Sequence, residues 1–130
     1  MKFNFEKLSK SYRKKKLLVV GDVILDAYVW GIVDRMSPEA PVPIVQSGEH
    51  GQQPGGAANV ALNLTNLGAK VSLVGLVGDD DEGVSLTNAL SNDANINTHL
   101  LVDQGRPTTI KTRVIANGHH VVRIDREQLD

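Results

Sequence analysis

At 130 residues the chain is long enough for one packed core, and its 41% hydrophobic and 22% charged residues are ordinary for a globular protein. A net charge of −1 excludes a broad cationic field for nucleic acid or a membrane surface. The lack of cysteine excludes disulfides, thiolate nucleophiles and zinc–thiolate centres, as suits a reducing, cytoplasmic setting.

In chain order, Asn4 is placed to cap a short helix carrying Phe5, Leu8 and Tyr12, whose basic end, Arg13 to Lys16, suits a helix C-terminus. Lys14-Lys15-Lys16 followed by Leu17–Val33 superficially resembles a signal peptide. Asp22 and Asp26 interrupt it, each costing roughly 2.5–3.5 kcal/mol at a membrane centre, and no small-residue cleavage site follows. Leu17 to Asp22 instead predicts a strand covered on both faces of a parallel sheet. Ala27 to Val33 predicts a second strand. Pro38, Pro41 and Pro43 enforce an extended path to a short edge strand at Ile44-Val45.

Gly55-Gly56 opens a helix through Asn66, with Val60, Leu64 and Leu67 as its apolar stripe and Gly68 as its stop. Lys70 to Gly75 predicts a further buried strand. Asp79-Asp80-Asp81-Glu82 then loads the start of a helix carrying Val84, Leu86 and Leu90, where its dipole favours negative charge. His99 to Val102 predicts a strand, and Thr108 to Asp125 a hairpin around Asn117-Gly118, a type I′ turn signal.

Strand, helix, strand, helix, strand implies an α/β body with a parallel sheet. The segments near 27–47 and 108–126 break that rhythm and predict a separate small sheet. Only three body strands are accounted for, against a mean of ~5–6 per sheet. The chain, residues 1–130, therefore reads as the front portion of a larger domain, incomplete at its C-terminus.

A two-residue turn at Asn117-Gly118 pairs 116 with 119, 113 with 122 and 112 with 123. Alternation then sets Lys111 and Arg113 on one face and Thr112, Arg123 and Asp125 on the other, so that these cations cannot all meet one phosphate. The acidic run 79–82 is read as a dipole partner rather than a magnesium site, and His50, His99, His119 and His120 lack metal-ligand spacing. No metal site is expected.

Pro54-Gly55-Gly56-Ala57-Ala58-Asn59-Val60-Ala61, then Leu67-Gly68, Val74-Gly75-Leu76-Val77-Gly78-Asp79-Asp80 and Gly83, resembles the first signature of the pfkB (ribokinase-like) carbohydrate kinases. Two further blocks, Asp34–Pro43 and Gly105–Ala116 with Arg123 and Asp125, look like the heptose-7-phosphate kinases among them. The glycines stand one residue closer to the asparagine than in ribokinases, which disfavours ribose.

The resemblance implies a ribokinase-like α/β fold with a β-sheet lid and an ATP- and Mg²⁺-dependent sugar kinase acting on a sugar phosphate. Asp26, Gly55, Gly56 and Asn59 become the sugar-binding set, with Arg106, Arg123 and Asp125 as candidates toward the distal phosphate and the inner lid face. A carboxylate accepts strong charge-assisted bonds from hydroxyls, and glycines let backbone approach a ligand. The bland readings are a loop aspartate capping a turn, a plain glycine turn, and solvated lid charges. The family's second signature, Gly-Ala-Gly-Asp with the catalytic base and nucleotide site, does not occur in these residues, so the chain alone is expected to be inactive. Other pfkB sugar or nucleoside kinases, or a non-catalytic module dimerising through its lid, are the competing readings. A homodimer through the lid is expected either way.

Overall fold

The computed structural model describes residues 5–13 and 15–128. The capping role expected of Asn4, the contribution of Lys14 to the basic helix end, and the last two residues lie outside them. The elements run α1 (Phe5–Tyr12), β1 (Lys16–Val20), β2 (Val23–Met36), β3 (Pro43–Gly56), α2 (Ala57–Asn66), β4 (Lys70–Gly78), α3 (Asp81–Ser91), β5 (Ile96–Asp103), β6 (Ile110–Ala116) and β7 (His119–Arg126).

Two sheets form. β1, β4 and β5 make a parallel sheet in the order β1-β4-β5, and β3-β2-β6-β7 make a mixed four-stranded sheet. The predicted division into an α/β body and a second sheet is therefore found. Its strands are longer than expected: β3 runs to Gly56 and pairs antiparallel along nearly all of β2. Pro43 and Pro54 are tolerated because β3 is an edge strand, paired on one side only.

Val23 and Leu25, at the start of β2, sit in the body core with Val71, Leu73, Val77, Leu86, Leu90 and Ile96, so the second sheet is rooted in the body. Helix α2 meets this core through Ala58, Ala61 and Thr65, and of the predicted stripe only Leu64 packs against it. Its small side chains let the helix lie close to the sheet, while Val60 and Leu67 are about half exposed. Leu64 and Leu67 line a cavity shared with Tyr12 of α1 and Leu17. In α3, Leu86 and Leu90 are buried as predicted, but Val84 is exposed.

The expectation that β1 is covered on both faces is corrected. Leu17 and Val19 share the face of Val71 and Leu73, whereas Leu18 and Val20 share that of Val74, Leu76 and Leu101. On this second face Leu18 and Val20 are 67% and 68% exposed, since both α2 and α3 pack on the other.

The hairpin also differs in register. Asn117 and Gly118 have φ of 52° and 80°, as a type I′ turn requires. However, Ile115 pairs with His120 and Val114 with Val122, leaving Val121 as a one-residue bulge. Beyond it the alternation of β7 is inverted. Arg113 pairs with Arg123 and Lys111 with Asp125, so these four residues share one face and Thr112 lies opposite with Ile124. The prediction that Lys111 and Arg113 face away from Arg123 and Asp125 is thereby overturned.

Candidate functional site

Parallel pairing of β2 with β6 sets Asp26 beside Lys111, Tyr28 beside Arg113 and Trp30 beside Ile115. Side chains alternate along a strand, so Asp26, Tyr28 and Trp30 point to one side of the sheet with Lys111, Arg113, Arg123 and Asp125. Asp26 lies within a strand, where the second sheet leaves the carboxyl edge of the parallel one; it is not a loop residue capping a turn. Ligand crevices in α/β proteins form at that edge.

The Arg113 guanidinium donates from Nη1 to Asp26 Oδ1 at 2.6 Å. Both side chains are about one-fifth exposed, at 24% and 17%. Arg113 also lies over the Tyr28 ring, 5.4 Å from its centroid, and Tyr28 stacks on Trp30 with ring planes 11° apart. The bond to Asp26 holds the Arg113 guanidinium protonated still more firmly than usual, despite partial burial. Gln53 donates to the Tyr28 hydroxyl at 2.9 Å and fixes the ring from the β3 side.

Gly55 explains itself here. A Cβ on it would overlap Asp26 Oδ2 and stand 2.8 Å from the carboxyl carbon. The Asp26 carboxylate thus lies flat against the β3 backbone. Gly56 has φ of 55°, which a glycine adopts without strain, and a Cβ there would strike the Asp22 carbonyl oxygen. That carbonyl accepts from the N–H of Ala57 at 2.8 Å as the chain turns into α2. Asn59, exposed in the first turn of α2, is bonded only by Asn63, at 3.5 Å, among the described residues.

Farther out, Asp125 accepts from Lys111 at 3.1 Å and from Arg123 at 2.9 Å, and Glu127 accepts from Lys111 at 3.0 Å. Desolvation would raise the Asp125 pKa, but its two cationic partners hold it below the usual carboxylate value. The Glu127 and Asp125 bonds raise that of Lys111. These outer charges are already matched in sign.

Arg106 precedes β6 on the loop beside Gly78; its side chain makes no hydrogen bond or ion pair among the described residues.

Asp80 does more than complement a helix dipole. Its Oδ1 caps α3 by accepting from the N–H of Gly83 at 2.9 Å, and its Oδ2 accepts from the N–H of Thr108 at 2.9 Å and from Arg126 at 3.1 Å. The buried Thr108 hydroxyl in turn receives the N–H of Gly78 at 2.8 Å. One carboxylate therefore joins the body helix, the loop leading into β6, and the end of β7. Among the described residues no group of three or more His, Cys, Asp and Glu is placed to hold a metal ion.

Of the predicted set, Asp26, Gly55 and Gly56 come together, with Arg123 and Asp125 on the same sheet face. Arg113, Tyr28, Trp30 and Asp80 were not singled out as site residues. The pairing of β2 with β6 spans more than eighty residues of chain, and no local pattern announces it. A cavity of about 300 Å³, lined by Lys16, Lys70, Asn95 and Asn97, lies at the opposite, amino-terminal end of the parallel strands.

These features define an α/β protein with a second β-sheet rising from the carboxyl edge of its parallel sheet and a carboxylate at the junction. The sequence profile of the pfkB family carbohydrate kinases matches residues 14–129, and the chain belongs to that family. It is 53% identical over 117 residues to the bifunctional protein HldE of Helicobacter pylori (strain P12) and 46% identical over 115 residues to that of Hyphomonas neptunium. These alignments cover 89% and 88% of this chain but 25% and 24% of the relatives, so the chain spans about a quarter of their length. A carbohydrate kinase from Agrobacterium tumefaciens superimposes with a TM-score of 0.70 at 25% identity, over 85% of this chain and 35% of that one. Fructokinase with bound ATP from Xylella fastidiosa shares the fold, with a TM-score of 0.64 at 24% identity over 86% and 33%. The fold is therefore ribokinase-like, and no helix among the described residues is long and apolar enough to cross a membrane.

Proposed function

We propose that this chain is the sugar-binding portion of an ATP-dependent kinase that phosphorylates a heptose 7-phosphate at O1, in the cytoplasm, during synthesis of nucleotide-activated heptose. The observation that carries this reading is the partly exposed Asp26 carboxylate, laid against Gly55 at the carboxyl edge of the parallel sheet. The heptose-kinase-like blocks 34–43 and 105–116, and the likeness to HldE, narrow the substrate.

In this reading Asp26 accepts from a sugar hydroxyl, and the backbone at Gly55 and Gly56 lets the polyol approach. Asn59 offers a donor and an acceptor from the first turn of α2. The four-stranded sheet is the lid, which orients the sugar and excludes water. Arg106, with no partner among the described residues, is the candidate for the distal phosphate. Arg123 and Asp125 shape the inner lid face.

ATP is the phosphoryl donor, with Mg²⁺ as its usual companion. In this reading the α/β body acts on the sugar. Residues 1–130 constitute the front portion of the kinase domain, with lid strands in 27–47 and 108–126. The exposed Val121, Val122 and Ile124 on edge strand β7 support a homodimer through the lid.

The test is substrate profiling of the protein as its gene encodes it. Heptose 7-phosphate is expected to exceed ribose, fructose 6-phosphate and a nucleoside by about 100-fold in kcat/KM, the scale set when buried polar groups read a substrate's own hydroxyls. Asp26→Asn is expected to lower that value by about 100-fold through lost charge-assisted bonds. A preference for a hexose or nucleoside would contradict the assignment.

A further inference from the structure

Resting on the sugar-binding reading above, we infer that Arg113 is the positioning residue of the site: it fixes the Asp26 carboxylate so that Oδ2 alone is presented to a polyol hydroxyl. Nη1 of Arg113 occupies Oδ1 at 2.6 Å. Oδ2 lies over the Gly55 backbone and receives no hydrogen bond among the described residues. The carboxylate is thus split into one satisfied oxygen and one available acceptor.

Arg113 is itself held in place. Tyr28 lies beneath the guanidinium, Trp30 stacks beneath Tyr28, and Gly51 leaves room for the indole, since a Cβ there would stand 2.8 Å from the ring. Among the described residues, the only other bond made by the guanidinium is from the same Nη1 to the Lys111 carbonyl at 3.4 Å. Its Nε and Nη2 have no partner among the described residues, so a second oxygen of the same polyol has a donor beside the Oδ2 acceptor.

This pairing favours a ligand with two adjacent oxygens, one donating and one accepting. A planar guanidinium keeps both donor edges in fixed directions, which an ammonium does not. The aromatic stack also gives the site its own reporter, because Trp30 is the one tryptophan in these 130 residues.

The experiment titrates heptose 7-phosphate into the protein as its gene encodes it, following heat by calorimetry and indole emission by fluorescence. Wild type, Arg113→Met, Arg113→Lys, Asp26→Asn and Trp30→Phe are compared, with thermal melts to confirm folding. Arg113→Met is expected to weaken binding about 10- to 100-fold without a large loss of melting temperature, and Arg113→Lys to recover only part of it. A saturable emission change present in wild type and absent in Trp30→Phe is expected to assign the signal. Should Asp26→Asn lose binding while both Arg113 variants bind as wild type does, the inference is overturned and the sugar-binding reading stands. Should wild type show no binding, that reading falls and the inference with it.

Discussion

Gly55→Ala is expected to weaken sugar-phosphate binding about 100-fold with a modest loss of folding stability, about 1–2 kcal/mol. A Cβ at residue 55 would occupy the place of Asp26 Oδ2, and the carboxylate would have to turn off the β3 backbone. Turning it breaks the bond from Arg113 and removes the free acceptor together, and each charge-assisted bond contributes about 1.5–3 kcal/mol. Alanine also restricts the unfolded chain, an effect of about 0.4–1 kcal/mol that offsets part of that loss. Gly56→Ala supplies the contrast. There φ is 55° and the added Cβ strikes a backbone carbonyl, so stability falls further, along with binding. Calorimetric titration alongside thermal melts separates the two variants.

Asp80→Ala is expected to cost about 2–4 kcal/mol of folding stability. Loss of the helix cap, which is the bond from the Gly83 N–H, accounts for about 1 kcal/mol, and stranding the N–H of Thr108 adds about 1–3. The contact from Arg126, nearly half exposed, adds little. Burial alone would raise the Asp80 pKa, but the bonds from Thr108 and Gly83 and the charge of Arg126 hold it below its ordinary value. A carboxylate held low in the folded state contributes stability that is present above its unfolded pKa, near 4, and is lost as pH falls through the folded value. Denaturant unfolding from pH 6 down to pH 2 is therefore expected to show a steeper acid loss in wild type than in Asp80→Ala. Equal slopes would show that Asp80 is not engaged as described.

The body of this fold is legible in the sequence because its signals are local. Apolar runs at Leu17–Val20 and Val71–Val74, the acidic start of α3 and the Asn117-Gly118 turn each specify their element from a few neighbouring residues. The helix stripes were less legible. α2 seats itself through Ala58 and Ala61, whose weak hydrophobic signal is outweighed in any pattern by the exposed Val60 and Leu67. A single bulge residue, Val121, inverted the faces assigned to β7, because a period of two has no tolerance for one inserted residue. The Asp26–Arg113 pair was hidden for a different reason. It depends on parallel pairing between strands far apart in the chain, whereas the glycines beside Asp26 could be read directly from their motif.

A crystal structure of the protein bound to heptose 7-phosphate tests the placement of the sugar most directly. The expected result is a sugar hydroxyl within hydrogen-bond distance of Asp26 Oδ2, with the ring against Gly55 and Asn59 and Arg113 still bonded to Oδ1. A sugar bound instead at the far end of the parallel strands, between Lys16 and Lys70, with Asp26 contacting Arg113 alone, would contradict it.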